Sequence, residues 1–87
     1  MNDAEKDITA QGLYVVNDIL SGEFFPPFVS KNHSTAIRTF QNSIKDNPNS
    51  ADYYLFNVGV FYPLDGSISS GRPELVCKGA EICNTKK

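Results

Sequence analysis

Apolar residues recur at strand-like spacing in two stretches of the chain. Residues 13–19, LYVVNDI, are rich in β-branched and aromatic side chains, which favours a first strand. Residues 53–62, YYLFNVGVFY, form the most β-prone run, with apolar side chains on both sides of the pleat. Gly59 within this run indicates a bulge or a close approach of another backbone. We therefore expect the apolar side chains on both faces of this long strand to pack against other parts of the protein or against a partner.

A helical stripe separates these two strands. It consists of Ala36, Ile37, Phe40 and Ile44. Either Asn32 or Ser34 can cap the start of the helix. Asn47 followed by Pro48 predicts its end, because Asn tolerates the left-handed conformation after a helix and Pro cannot continue one. The pattern predicts a helix over residues 33–46 that packs its apolar side on a sheet.

Residues 24–30, FFPPFVS, must be extended, because each proline fixes its own φ and restricts the residue before it. Phe25 and Phe28 flank the two prolines. One interpretation is a stiff apolar clasp that packs on its own domain, which the burial preference of large aromatics favours. The other is a polyproline ligand for an SH3-like partner, although the segment lacks PxxP spacing.

Turn signals continue after residue 62. Pro63, Asp65 and Gly66 predict a turn into a short strand around Ile68. Residues 74–78, ELVCK, are a candidate last strand at a sheet edge, where the nearby Pro73 costs no central hydrogen bond.

These elements predict an α+β fold, with a small antiparallel sheet of three to four strands and one amphipathic helix on one face. The 87 residues suffice for one domain, over residues 12–79, with a flexible acidic segment at 1–11 and a flexible tail at 80–87. Because one helix covers only one face, the other face is a candidate partner surface, and we expect a homodimer. Two sets of residues could form it: Tyr54, Phe56, Val58, Val60 and Tyr62, or Tyr53, Leu55 and Phe61.

The charge distribution limits the function classes. The formal net charge is −2, and residues 1–30 carry five acidic residues against one lysine, whereas residues 31–87 carry seven basic residues against five acidic ones. Net charge therefore provides no general attraction to nucleic acid. The polar amino-terminal segment is not a secretory signal and no apolar run has membrane-spanning length, so we expect no membrane partner and a cytoplasmic protein.

Catalytic and metal chemistry are not predicted. His33 is the one histidine, and its position at a helix start suits a solvated capping-region residue better than a catalytic one. The carboxylates are scattered over turns and helix ends, where they serve as local acceptors. Cys77 and Cys83 with His33 leave a zinc site one ligand short. We expect a non-enzyme with no cofactor and no metal.

One basic constellation stands out. Lys31 precedes the helix, and Arg38, Gln41 and Lys45 share its outer stripe, so these four residues are candidate contacts to DNA phosphates. Aromatic residues of the long strand, Tyr53, Tyr54 and Phe56, could also stack on bases of single-stranded DNA. A solvated helix face and burial of these aromatics in a core or dimer are the alternatives, and burial is favoured for the aromatics.

The order of LYVVND, FFPPFVSKN, STAIRTFQNSI and ADYYLFNVGVFYPLDGSI, over about residues 13–78, resembles the small nonstructural protein of gokushoviruses. These belong to the Microviridae, single-stranded DNA phages of bacteria. The shared features are the Pro-Phe clasp, Ala36-Ile37-Arg38 with Phe40, the Tyr-x-Leu-Phe-x-x-Gly-x-Phe run and the Asp-Gly turn.

The resemblance implies a nonstructural protein that acts in the host bacterial cytoplasm and is absent from the mature virion. Its role would be that of the microvirus protein called C, which engages the viral replication complex and switches it from duplex synthesis to packaging of single-stranded progeny DNA into the procapsid. The implied partners are replication-complex or procapsid proteins, and viral DNA is a further candidate. No functional residues transfer from the family.

Overall fold

The computed structural model describes residues 9–81, so the predicted flexible segments lie mostly outside the described residues. Its elements in chain order are β1 (Gln11–Asp18), β2 (Glu23–Phe24), β3 (Phe28–Ser30), α1 (His33–Ile44), a short 3-10 turn (Ser50–Asp52), β4 (Tyr53–Tyr62) and β5 (Ser67–Lys78). All strand pairs are antiparallel, and α1 packs on one face of the sheet. The predicted α+β class is thus confirmed.

The prolines form part of one sheet edge. The strand order is β2-β1-β4-β5, and β3 pairs with the same outer side of β1 as β2 does. Residues 23–30 are therefore one edge segment that Pro26 and Pro27, which have no N–H to donate, divide into two short strands. This division raises the strand number to five, above the predicted three to four. The amide of Phe25 continues the pairing by donating to the Val16 carbonyl at 2.9 Å.

The opposite edge is β5, which joins the two separately predicted segments into one irregular strand. Gly59 of β4 pairs with Ser70 and Asn57 pairs with Glu74, so Gly71, Arg72 and Pro73 form a bulge. This bulge accommodates Pro73 without ending the strand. The edge position predicted for residues 74–78 is confirmed.

Helix α1 starts as predicted at His33, where the side-chain oxygen of Asn32 accepts a hydrogen bond from the Thr35 amide at 2.8 Å. It ends at Ile44, two residues before the predicted end. The expected left-handed Asn47 is wrong, since no non-glycine residue within 9–81 has a positive φ. Instead, the Asn47 amide donates to the Ile44 carbonyl at 2.9 Å, and its side-chain nitrogen donates to the Tyr53 hydroxyl.

The core lies between α1 and the sheet. Its members are Tyr14, Val16, Ala36, Phe40, Ile44, Tyr53, Leu55 and Cys77. Phe25 packs on Tyr53 at 5.9 Å and Phe28 stacks on Tyr14 at 5.8 Å, so the Pro-Phe segment packs on its own domain as the clasp interpretation predicts. The helix thus covers the sheet face that carries Tyr53 and Leu55.

Candidate interaction surface

The sheet face opposite α1 is uncovered within the described chain, and we call it the open face. Residues directly opposite on neighbouring strands point to the same side, and successive residues alternate. Because Tyr14 and Val16 contact the helix, Leu13 and Val15 point the other way. Their partners in the register extend the set. The apolar members of the open face are Leu13, Val15, Phe24, Val29, Tyr54, Phe56, Phe61, Ile68 and Leu75.

Several of these side chains are exposed to solvent. Phe24 is 56% exposed, Ile68 56%, Leu75 47% and Val29 43%, which places half of the large exposed apolar residues of the described chain on this one face. The paired carboxylates Asp18, Glu23 and Glu74 all point to the helix side. Lys78 is the one charged residue that the strand register of residues 9–81 assigns to the open face.

A small aromatic cluster forms the centre of the open face. The ring of Phe56 lies 6.4 Å from that of Phe24 and 6.4 Å from that of Tyr54. The ammonium group of Lys78 lies 5.6 Å from the Tyr54 ring centroid, within cation–π range. Val15 beside this cluster is only 9% exposed, although it is outside the main core. The open face therefore contains the beginning of a second, incomplete hydrophobic core.

A bulge divides the residues predicted to form this surface. Leu13 pairs with Gly59 and Tyr14 pairs with Asn57, so Val58 is an additional residue in β4. The structure brings Tyr54 and Phe56 together on the open face. Beyond the bulge the alternation is reversed, because Val60 pairs with Gly12 and Tyr62 pairs with Ser67. Val60 and Tyr62 therefore point to the helix side, at the end of the sheet that is formed by the β4–β5 hairpin.

The alternative set is divided in the same way. Tyr53 and Leu55 are buried under α1, whereas Phe61 lies on the open face beside Ile68. The prediction of a bulge or close approach at Gly59 is confirmed. A Cβ atom on Gly59 would collide with the backbone oxygen of Ser69 in β5.

The candidate DNA contacts lie at a different place, along the outer side of α1. Lys31, Arg38 and Lys45 are exposed, and Gln41 is half-buried at the side of the helix. Arg38 and Lys45 are seven residues apart, which corresponds to about 10 Å along the helix axis. The first turn of α1 contains no acidic residue. These residues form a sparse basic strip.

His33 is placed by a contact that sequence reasoning missed. Its Nδ1 atom lies 2.7 Å from the hydroxyl of Tyr14, and the two rings meet edge to face at 5.6 Å. Burial raises the pKa of the Tyr14 phenol above its ordinary value of 10.0. The pair joins β1 to the start of α1. The two residues are nineteen positions apart in sequence, so no local sequence pattern predicts their contact.

Other chemical groups are few in this part of the chain. Within residues 9–81, no group of three or more His, Cys, Asp or Glu is arranged to hold a metal ion. The thiol of Cys77 is free and buried. Burial raises the pKa of this thiol above its ordinary value of 9.0, and the nearby negative charge of Glu81 raises it further. Cys83 lies outside the described residues. No helix of the described chain has the length and apolarity needed to cross a membrane.

Comparison with protein families identifies a match to the family described as Phage ORF5 protein, over residues 11–82. The matched region spans every strand and the helix described above. Searches among curated proteins and among solved structures gave no match.

Proposed function

The chain belongs to the Phage ORF5 protein family, and on that premise we propose that it is a nonstructural phage protein that acts as an interaction adaptor in viral DNA replication and packaging. In this proposal it works in the cytoplasm of the host bacterium, remains outside the mature virion and catalyses no reaction. It favours the switch from duplex synthesis to packaging of single-stranded progeny into the procapsid. The resemblance to gokushovirus proteins supports this role.

The observation that carries the proposal is the open face. A sheet face with Phe24, Ile68 and Leu75 about half exposed is more apolar than a surface that only meets water. The absence of paired carboxylates from this face within residues 9–81 removes the repulsion and desolvation that acidic groups would add to protein association. The open face is thus suited to association with a protein through apolar contact.

An infection experiment tests the role. In host cells infected with phage whose gene carries an early stop codon, duplex viral DNA should accumulate while packaged single-stranded DNA falls. A phage with Phe24→Asp should show the same change if the open face carries the function. Leu64→Asp provides the matched control, because Leu64 is 63% exposed in the hairpin turn, outside the open face. An unchanged ratio of single-stranded to duplex DNA in the stop-codon phage would contradict the proposal.

The basic strip favours a second candidate function, direct contact with viral DNA. Lys31 and Arg38 are exposed, and the first turn of α1, at the positive end of the helix dipole, contains no acidic side chain. The overall charge of −2 weakens such binding at long range. The strip is therefore proposed as a local phosphate contact.

Fluorescence anisotropy of a labelled single-stranded oligonucleotide, at low and near-physiological salt, tests this candidate. Binding through phosphates should weaken as salt increases. The double variant Arg38→Glu with Lys45→Glu should abolish it, whereas Phe24→Asp should leave it unchanged. Binding that survives the charge reversal would show that the basic strip is the wrong surface.

A further inference from the structure

We infer that the partner on the open face is a second copy of this chain, packed sheet against sheet, so that the two incomplete cores become one. This inference deepens the proposed function, since it names the occupant of the same surface. The reasons are the size of the face, its charge and the burial pattern at its centre.

The first reason is the partial burial at the centre of the face. Val15 of the inner strand β1 is 9% exposed without α1 above it, whereas Phe24 of the edge strand β2 is 56% exposed. Hydrophobic clusters of this kind are completed when a second apolar layer packs about 10 Å above the sheet. Helix α1 packs on the opposite side of the sheet and leaves this layer open.

The second reason is area. The face is four strands wide and, along β1, eight residues long. Standard strand dimensions give a flat projection of about 19 Å by about 27 Å, or about 500 Å², before the relief of the side chains is counted. A stable interface buries about 800 Å² of accessible surface on each partner. The projection of one face is smaller than this value, so a twofold dimer would need the whole open face and would belong to the smaller class of protein interfaces.

The third reason is charge. A surface that meets its own copy must avoid like charges, and the open face has one charged residue in the paired register, Lys78, whose ammonium group already lies over Tyr54. Single-stranded DNA would require several cations beside the aromatic rings. The mainly aliphatic margin, with Val29, Ile68 and Leu75, also fits a protein surface better than a nucleic acid.

A sheet-to-sheet dimer places both copies of α1 on the outside. The basic strips, with Arg38 and Lys45 exposed on each helix, then lie on opposite sides of the assembly. Contacts with viral proteins or with DNA are consequently made in duplicate, and the dimer can join two partners. This arrangement gives the proposed adaptor its two binding sides.

Sedimentation equilibrium of the full-length protein tests the inference. The wild type should be a dimer. Phe24→Asp and Leu75→Asp should each weaken the dimer at least about 100-fold, because each copy would bury an unpaired carboxylate. Leu64→Asp is the matched control and should leave the dimer unchanged. Circular dichroism of each variant verifies that the exposed substitutions leave the fold intact.

Three results would overturn the inference. One is a wild-type protein that stays monomeric up to about 1 mM, because its dimer dissociation constant would then be too high for a specific dimer. Another is a dimer that survives both Phe24→Asp and Leu75→Asp, because the contact between the two copies would then lie outside the open face; dissociation in Leu64→Asp would locate it at the hairpin turn. The third is a monomer whose oligonucleotide binding is lost in Phe24→Asp, which would assign the open face to nucleic acid.

The experiments distinguish failure of the dimer inference from failure of the proposed function. A monomeric wild type whose stop-codon phage still accumulates duplex DNA rejects the dimer and retains the adaptor. A stable dimer whose stop-codon phage packages normal amounts of single-stranded DNA retains the interface and rejects the role.

Discussion

The hydroxyl of Tyr14 and Nδ1 of His33 lie 2.7 Å apart and connect the sheet to the first residue of the helix. Tyr14 is 1% exposed, and its ring also stacks on Phe28. The contact therefore joins three elements, β1, β3 and α1, at one corner of the core.

A double-mutant cycle measures this contact. Tyr14→Phe should lower the free energy of unfolding by about 1 kcal/mol, because it removes a partly buried hydrogen bond and keeps the ring. The same substitution in a His33→Ala background should cost less, and the difference is the coupling energy. Urea denaturation of the four proteins provides the values. A coupling of zero would mean that the two side chains do not interact in solution.

The raised pKa of Tyr14 predicts a loss of stability at alkaline pH. Burial favours the neutral phenol in the folded protein, so its contribution is complete below the unfolded pKa near 10.0 and is lost as pH rises through the higher folded pKa. Unfolding free energies of wild type and Tyr14→Phe should therefore converge above about pH 10. Cys77 also has a raised pKa, but it is present in both proteins and cancels in their difference. A constant difference across this range would contradict the prediction.

Gly79 and Gly71 provide a matched test of how closely other backbone segments pack against a glycine. A Cβ atom on Gly79 would collide with the Ser50 carbonyl oxygen and lie 3.0 Å from that of Tyr53, whereas nothing lies within 4 Å of a Cβ on Gly71. Gly79→Ala should lower the free energy of unfolding by about 1–3 kcal/mol, since backbone atoms must shift. Gly71→Ala should stay within about 0.5 kcal/mol of wild type. Equal thermal stabilities of the two variants would show that the close approach is absent.

The cap at Asn32 predicts a clear rank order. Asn32→Ala removes the acceptor for the Thr35 amide and should cost about 1 kcal/mol, whereas Asn32→Asp keeps the acceptor and should be close to neutral. Chemical denaturation monitored by circular dichroism measures both. If Asn32→Asp were as unstable as Asn32→Ala, the side-chain oxygen would not be the cap.

The hydroxyl of Ser30 is the one buried side-chain polar atom without a hydrogen-bond partner in the described residues. Ser30 is 7% exposed, so the hydroxyl loses its water without compensation. Ser30→Ala should therefore leave stability unchanged or raise it by about 1 kcal/mol. Ser43→Ala is the control, because the Ser43 hydroxyl donates to the Phe40 carbonyl at 2.8 Å and its removal should not stabilise. A Ser30→Ala protein that melts well below wild type would reveal a partner, such as a bound water.

Local patterns predict local structure well in this chain. The helix cap, for which the sequence left Asn32 or Ser34 and the structure has Asn32, the bounds of β4 and the special position of Gly59 all depend on residues close together in sequence. The extra residue Val58 was not predictable from alternation, because apolar residues occupy both sides of β4 before and after it. The Tyr14–His33 contact and the pairing of residues 23–30 with β1 depend on the tertiary fold, which local propensity does not specify.

The central place of β1 has a consequence for synthesis of the protein. β1 leaves the ribosome first, yet its longest partner, β4, pairs Phe61 with Gln11 and is made almost a whole domain later. Long-range strand pairing is slow, because loop closure precedes the gain from contact. One edge of β1 can pair early with β2 and β3, but the edge that faces β4 stays unpaired while α1 and the β4–β5 hairpin emerge. We therefore expect high expression at elevated temperature to favour aggregation of nascent chains over folding.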